Sequence, residues 1–153
     1  MPIWVDADAL PRAIREVLIR AAERRQISVT LVANRWIDKP KTKWVSTVQV
    51  PPGADVADDH IASHCEGGDL VVTADIPLAA RSVEHGAIVI TPYGRVLDAS
   101  NVGEALSIRD FHDDLRSTGV VTKGPPPFGA KEVQQFSNAL DRWLTKNHTP
   151  PGS

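Results

Sequence analysis

Cysteine is almost missing from this chain: Cys65 stands alone among 153 residues. One thiol excludes an intramolecular disulfide and is too few for a cysteine zinc site. Also missing is any apolar run near the roughly 20 residues that a membrane span needs, and the N-terminus carries no basic-then-apolar export signal. The expected location is the cytoplasm, with no membrane partner. Aromatic residues are sparse, at 5%, and neither charge sign dominates, the formal net charge being -2. Such a chain is no overall magnet for nucleic acid. What is present, 42% hydrophobic and 24% charged residues, is ordinary for a soluble protein with enough length for one domain and a real core. The expected domain covers residues 1–146, followed by a flexible tail at 147–153.

The charge is unevenly placed. Residues 1–50 hold nine Lys/Arg against five Asp/Glu, and residues 51–153 hold eight against fourteen. The N-terminal cations Arg12, Arg15, Arg20, Arg24, Arg25, Arg35, Lys39, Lys41 and Lys43 form either a phosphate-facing surface or a set of solvated helix and loop faces.

The chain is organised around Ile3-Trp4-Val5-Asp6-Ala7-Asp8-Ala9-Leu10-Pro11. The apolar run from Ile3 to Val5 predicts a short buried strand, which ends on two carboxylates just before a helix opened by Pro11. That helix is predicted through about Arg25, with Ile14, Val17, Leu18 and Ala21 or Ala22 on its apolar face. Asp8 is its expected N-cap, a role compatible with metal binding through the other oxygen. Ser28 to Ala33 is predicted as a second strand ending on Asn34, and Val45 to Val50 as a third, stopped by Pro51-Pro52-Gly53. Between them lies a basic loop carrying Trp36 and Trp44. Each indole is either an anchor on the core or a stacking surface for an unpaired base.

A helix is predicted from Asp55 to Cys65, with Asp55, Asp58, Asp59 and His60 near its N-terminal end. The helix dipole favours acids there, yet three aspartates in five residues exceed what capping requires. His60 and His64 have helical zinc-ligand spacing without the glutamate of a metalloprotease motif. Asp69-Leu70-Val71-Val72-Thr73-Ala74-Asp75 is the most strand-like stretch and delivers Thr73 and Asp75 to its end. Ile76-Pro77 opens a helix through about His85, and Ala87 to Thr91 is another buried strand. This alternation predicts a mostly parallel sheet with helical crossovers. Beyond Pro92 the expectations are a short edge strand at Val96 to Asp98 and a helix from Val102 to about Arg116. A loop through Gly124 and Pro125 and a final helix from about Lys131 to Lys146 complete the chain.

Three separated segments thus bring aspartates to predicted strand ends or helix starts: Asp6 and Asp8, then Asp55 and Asp58 with Asp59, then Asp75. Carboxylates around one point suit Mg²⁺ or Mn²⁺, hard cations that take oxygen ligands and keep waters for chemistry. Such a metal activates water and neutralises charge building on a phosphodiester. The expected activity is phosphodiester hydrolysis. Asp6, Asp58 and Asp75 are the expected catalytic groups, Asp6, Asp8, Asp55, Asp58 and Asp75 the metal ligands, and Asn34, Thr73, Arg12 and Arg109 the substrate contacts.

Asp6-Ala7-Asp8-Ala9, Asp55-x-x-Asp58-x-x-Ile61, the run from Gly68 to Ala79, and Ile108-Arg109-Asp110-Phe111-x-x-x-Leu115-Arg116 resemble the YaiI/YqxD family of uncharacterised bacterial proteins over nearly the whole chain. That family is similar to PIN-like nucleases. The resemblance implies a three-layer α/β PIN-like domain, a mostly parallel central sheet flanked by helices. It also implies metal held by Asp6 at the end of the first strand and by Asp75 in Thr-x-Asp, with Asp58 as the helix carboxylate, an RNA substrate, and a homodimer. One departure stands out: the family usually reads Asp-Ala-Asp-Ala-Cys-Pro, and this chain has Leu10 in place of the cysteine. A mechanism common to the family then runs on carboxylates, not on a thiol. Arg109 with Asp110 also matches a family signature, as either a phosphate clamp or a structural ion pair.

Two rival readings share these residues. A haloacid-dehalogenase-type phosphatase also places Asp-x-Asp after a strand, the first aspartate attacking phosphorus and the second moving protons. It lacks here the later lysine and paired-aspartate motifs in order. The other rival is a non-catalytic PIN-like scaffold that binds RNA or a protein, with the acids holding a structural cation.

Overall fold

A computed structural model describes residues 3–37, 41–53, 56–107 and 129–147. Six strands form one sheet in the order β3-β2-β1-β4-β5-β6. These are β1 (Ile3–Asp6), β2 (Val29–Ala33), β3 (Val45–Gln49), β4 (Leu70–Val72), β5 (Ile88–Ile90) and β6 (Val96–Leu97). All pairs are parallel except β5 with β6. The strands read as near-continuous apolar runs because both faces are covered, so alternation of polar and apolar positions has no use here.

Two layers of helices do the covering. Helix α1 (Arg12–Arg25) buries Ile14, Val17, Leu18, Ala21 and Ala22, the stripe expected from their spacing. With α5 (Ala130–Asn147), which buries Phe136, Ala139, Leu140, Trp143 and Leu144, it packs on Ile3, Val5, Val29 and Leu31. Helices α2 (Val56–His64) and α3 (Ile76–Glu84) cover the other face, where Ile61, Ala62, Leu78 and Ala79 meet Val32, Val71 and Val89. A further helix, α4, is described over residues 102–107 and adds Ala105 to that second cluster. Its predicted continuation to Arg116, the Gly124-Pro125 loop and the tail at 148–153 lie outside the described residues. The result is the three-layer α/β arrangement with a mostly parallel sheet that the sequence predicts. No helix among the described residues is long and apolar enough to cross a membrane.

Local details differ from the sequence expectations for identifiable reasons. Residues Ala7–Ala9 form a short 3-10 turn, and the N-cap position of α1 is Pro11, with no side-chain cap bond. Asp8 is therefore not the cap of α1. The two tryptophans of the basic loop part company: Trp44 packs against the first core cluster, while Trp36 is 72% exposed. Cys65 is buried just beyond α2. At Gly94, φ is +85° and an added Cβ would sit 2.7 Å from the Gln135 carbonyl oxygen, so only glycine fits where the turn before β6 meets α5.

The connectivity fixes where a ligand belongs. From β1 the chain moves outward through β2 to β3, then returns to place β4 on the other side of β1. The two crossovers beside β1 thus run to opposite sides, and the crevice in which sheets of this kind receive a ligand is the one beyond the carboxyl ends of β1 and β4.

Candidate active site

Asp6 ends β1 and Thr73 follows β4, so the sheet delivers both to that crevice. Two-residue periodicity puts Asp6 on the same face as Trp4, away from Ile3 and Val5. Asp6 is only 4% exposed and Thr73 is wholly buried. The Thr73 hydroxyl donates to Asp6 Oδ2 at 2.9 Å and accepts the backbone N–H of Asp75 at 2.9 Å. One hydroxyl thereby sets the rotamer of the first aspartate and the backbone position of the third. Asp75 in turn caps α3, its Oδ1 accepting the Leu78 N–H at 3.0 Å. No hydrogen bond from the described residues reaches Asp75 Oδ2.

The electrostatics of Asp6 are unfavourable to its charge. Burial pushes its carboxyl above the ordinary carboxylate value, the Thr73 hydrogen bond pulls it partly back, and the charges of Asp75 and Asp8 push it up again. Among the described residues no basic side chain forms an ion pair with it. A buried carboxylate that feels the negative charge of two others is a place where a cation is stabilising.

Asp8 faces a different neighbourhood. Its Oδ2 accepts the Asn34 backbone N–H at 2.6 Å and its Oδ1 accepts Arg35 Nε at 3.1 Å. It therefore clamps the turn after β1 to the exit of β2. Asn34 is present at the strand end as predicted, but its backbone, not its side chain, makes the recorded contact. Arg12 is exposed and lies 3.5 Å from Glu16 one turn along α1.

The acids of α2 separate. Asp58 is half-buried in the first turn, whereas Asp59 is exposed and pairs with Arg81 at 2.8 Å. Asp55 and Arg109, with Asp110, lie outside the described residues. His60 and His64 stack at 4.2 Å beneath Trp4, and His64 Nδ1 lies 2.7 Å from the His60 carbonyl oxygen. Burial and the neighbouring His64 hold the His60 imidazole below its ordinary value. Trp4 Nε1 donates to Asp69 at 3.2 Å, so this corner is a packed structural unit behind the crevice.

Among the described residues no group of three or more His, Cys, Asp or Glu side chains is arranged to hold a metal ion. The structure does bring Asp6, Thr73 and Asp75 together, with Asp8 near enough for its charge to act on Asp6. The donors are all oxygen. That chemistry fits Mg²⁺ or Mn²⁺, and Mg²⁺ commonly uses one or two carboxylates and leaves its other positions to water and substrate phosphate. Sequence reasoning missed the Asp8–Arg35 pair, because nothing in the spacing reports that a 3-10 turn aims Asp8 at the neighbouring strand.

Comparison with known proteins gives a consistent result. Residues 4–146 match the family described as "Uncharacterized BCR, YaiI/YqxD family". A UPF0178 protein of Cellvibrio japonicus is 51% identical, covering 95% of this chain and 97% of its own length. Another, from Dechloromonas aromatica, is 51% identical over 95% of this chain and 97% of its own. A third, from Shewanella woodyi, is 47% identical over 98% of this chain and 99% of its own. No solved structure matches the chain.

Proposed function

We propose, for a chain that belongs to the YaiI/YqxD family of uncharacterised bacterial proteins, a divalent-metal-dependent hydrolysis of phosphodiester bonds in RNA by a PIN-like site. The observation that carries this reading is the buried Asp6 carboxylate at the sheet's switch point, bridged by Thr73 to Asp75 and unneutralised by any ion pair among the described residues. Asp6 and Asp75 are the groups to hold Mg²⁺ or Mn²⁺, with Asp58 on α2 and Asp55 as further candidates. When bound, such an ion supplies an acidified water and neutralises charge on the phosphate.

The chain's own residues do the positioning. Thr73 holds Asp6 in one rotamer and keeps Asp75 at the correct depth, so that the carboxylates need not reorganise when a ligand arrives. The cap bond to Leu78 fixes Asp75 Oδ1 and leaves Oδ2 for a ligand. Asp8 ties the crevice to the basic turn after β2, where Asn34, Arg35 and, from α1, Arg12 stand ready for a phosphate backbone.

The test incubates purified protein with labelled single-stranded and structured RNA and DNA in Mn²⁺, Mg²⁺ or EDTA, beside the D6N/D75N double variant. Metal-dependent cleavage that disappears in the variant supports hydrolysis. Cleavage that survives in it belongs to a contaminant. The second reading, a non-catalytic RNA- or protein-binding scaffold, is favoured by one observation: both oxygens of Asp8 and one of Asp75 already serve structural hydrogen bonds. Metal binding without cleavage by the wild type would favour it. The phosphatase reading requires Asp8 to move protons, and Asp8 is instead clamped between Asn34 and Arg35.

A further inference from the structure

A groove of about 390 Å³ runs between the first turns of α1 and the chain leaving β2, lined by Arg12, Arg15, Ile19, Arg35, Trp36 and Ile37. We propose that this groove is a docking subsite for single-stranded nucleic acid, one base stacking on Trp36 and its neighbouring phosphate held by Arg12 and Arg15. The inference rests on the reading of the adjacent crevice as a phosphodiester site, and names the form of substrate it receives.

Four observations converge on it. Trp36 is 72% exposed, so its indole contributes a flat apolar face to the groove and little to the core. Arg15 Nε is buried with no hydrogen-bond partner among the described residues. A buried guanidinium donor without an acceptor points to an oxygen ligand supplied from outside. The groove has three guanidinium groups against one carboxylate, Glu16, and that carboxylate sits at 3.5 Å from Arg12 in a pair whose side chains are 85% and 58% exposed. An exposed pair of this kind gives way readily to a phosphate.

The fourth observation is position. Arg35 lines the groove and donates to Asp8, two residues beyond Asp6 in the chain. The groove and the acidic crevice therefore share a wall. A strand whose base lies on Trp36 has its backbone directed past Arg35 toward the carboxylates. Stacking on an aromatic face with cations along the backbone suits unpaired bases of any identity; a duplex keeps its base faces hidden.

The experiment measures fluorescence anisotropy of labelled oligo-U RNA, oligo-dT DNA and a blunt duplex with the full chain in EDTA, where no hydrolysis occurs. Single strands are expected to bind in preference to duplex, and the RNA and DNA arms show which backbone is preferred. Trp36→Ala should weaken single-strand binding by roughly tenfold, with Trp36→Phe restoring much of it. Arg15→Gln should make the plot of log affinity against log salt shallower by about 0.7, the loss of one phosphate contact. Circular dichroism of Trp36→Ala is expected to match the wild type, since that side chain is exposed. Unchanged binding by Trp36→Ala, preference for the duplex, or no binding at about 0.1 mM protein overturns the subsite. Trp36-dependent binding without any metal-dependent cleavage leaves the subsite standing and defeats hydrolysis. Cleavage that Trp36→Ala leaves intact, with unaltered binding, does the reverse.

Discussion

Replacing Asp6 with Asn should make the protein more stable at neutral pH while removing its proposed activity. Asp6 is 4% exposed, and its carboxyl is held above the ordinary value of 3.8 by burial and by the charges of Asp75 and Asp8. The sign follows from linkage: the native state holds the Asp6 proton more tightly than the unfolded chain does. Stability is therefore full below the unfolded value and is lost as pH rises from there through the folded value. The penalty carried by the wild type therefore grows as the pH rises through the folded value. Asn keeps the shape and still accepts from Thr73, exchanging a charge-assisted hydrogen bond for a neutral one at a cost of about 1 kcal/mol. Relief of the buried charge outweighs this. The net gain should be about 1–2 kcal/mol, or roughly 2–8 °C in Tm for a chain of this size. The assay is urea and thermal unfolding in EDTA at pH 7 and near pH 4, where the advantage should shrink as the wild type takes up its proton. Saturating Mn²⁺ should then reverse the order, stabilising the wild type by about 2.7 kcal/mol at a hundredfold excess over Kd and the variant by much less. A variant less stable than the wild type at pH 7 in EDTA, or one equally favoured at both pH values, would refute the reasoning.

Thr73→Val removes the hydroxyl that serves both Asp6 and Asp75 and should cost about 1–3 kcal/mol in urea unfolding. It should also raise the pH at which Asp6 titrates, as read by carboxyl NMR shifts. Asp8→Ala, by freeing Asn34 and Arg35, should cost only about 1 kcal/mol of stability yet reduce single-strand affinity more than that figure suggests, because the groove wall loosens. Gly94→Ala should destabilise by about 1–3 kcal/mol, since the new methyl meets the Gln135 carbonyl oxygen at 2.7 Å in a left-handed backbone conformation. His60 is held below its ordinary value of 6.5, so native stability should fall as pH drops through that value toward the folded one, and His60→Gln should flatten that part of the stability-pH curve.

The elements that sequence reasoning found most easily are those whose hydrophobic pattern has only one geometric solution. The stripe Ile14, Val17, Leu18 and Ala21 admits one helix face, and Leu70 to Val72 admits one buried strand. Parallel pairing follows from the alternation of these elements, and it places Asp6 and Thr73 at one edge of the sheet. Hydrogen-bond direction was not legible. Asp8 reads as a cap because aspartate is a favoured N-cap residue, and only the 3-10 turn at Ala7–Ala9 swings it toward Asn34. The acids of α2 looked like one cluster because the sequence does not say that Arg81, on a different helix, draws Asp59 aside. Likewise Trp36 and Trp44 share a basic loop, and nothing local distinguishes the indole that meets the core from the one that meets solvent.

Cys65 sits buried just after α2, its thiol pushed up by that burial, in the layer formed by α2 and α3. Alkylation requires a thiolate that a reagent can reach, and the folded protein withholds both. The rate of labelling by iodoacetamide therefore counts the occasions on which this layer lifts from the sheet. With no second cysteine in the chain, the wild type carries a built-in, single-site clock for that opening. Its ticking, slowed by whatever ligand braces the crevice between β1 and β4, would report occupancy without a label, a chromophore or a turnover.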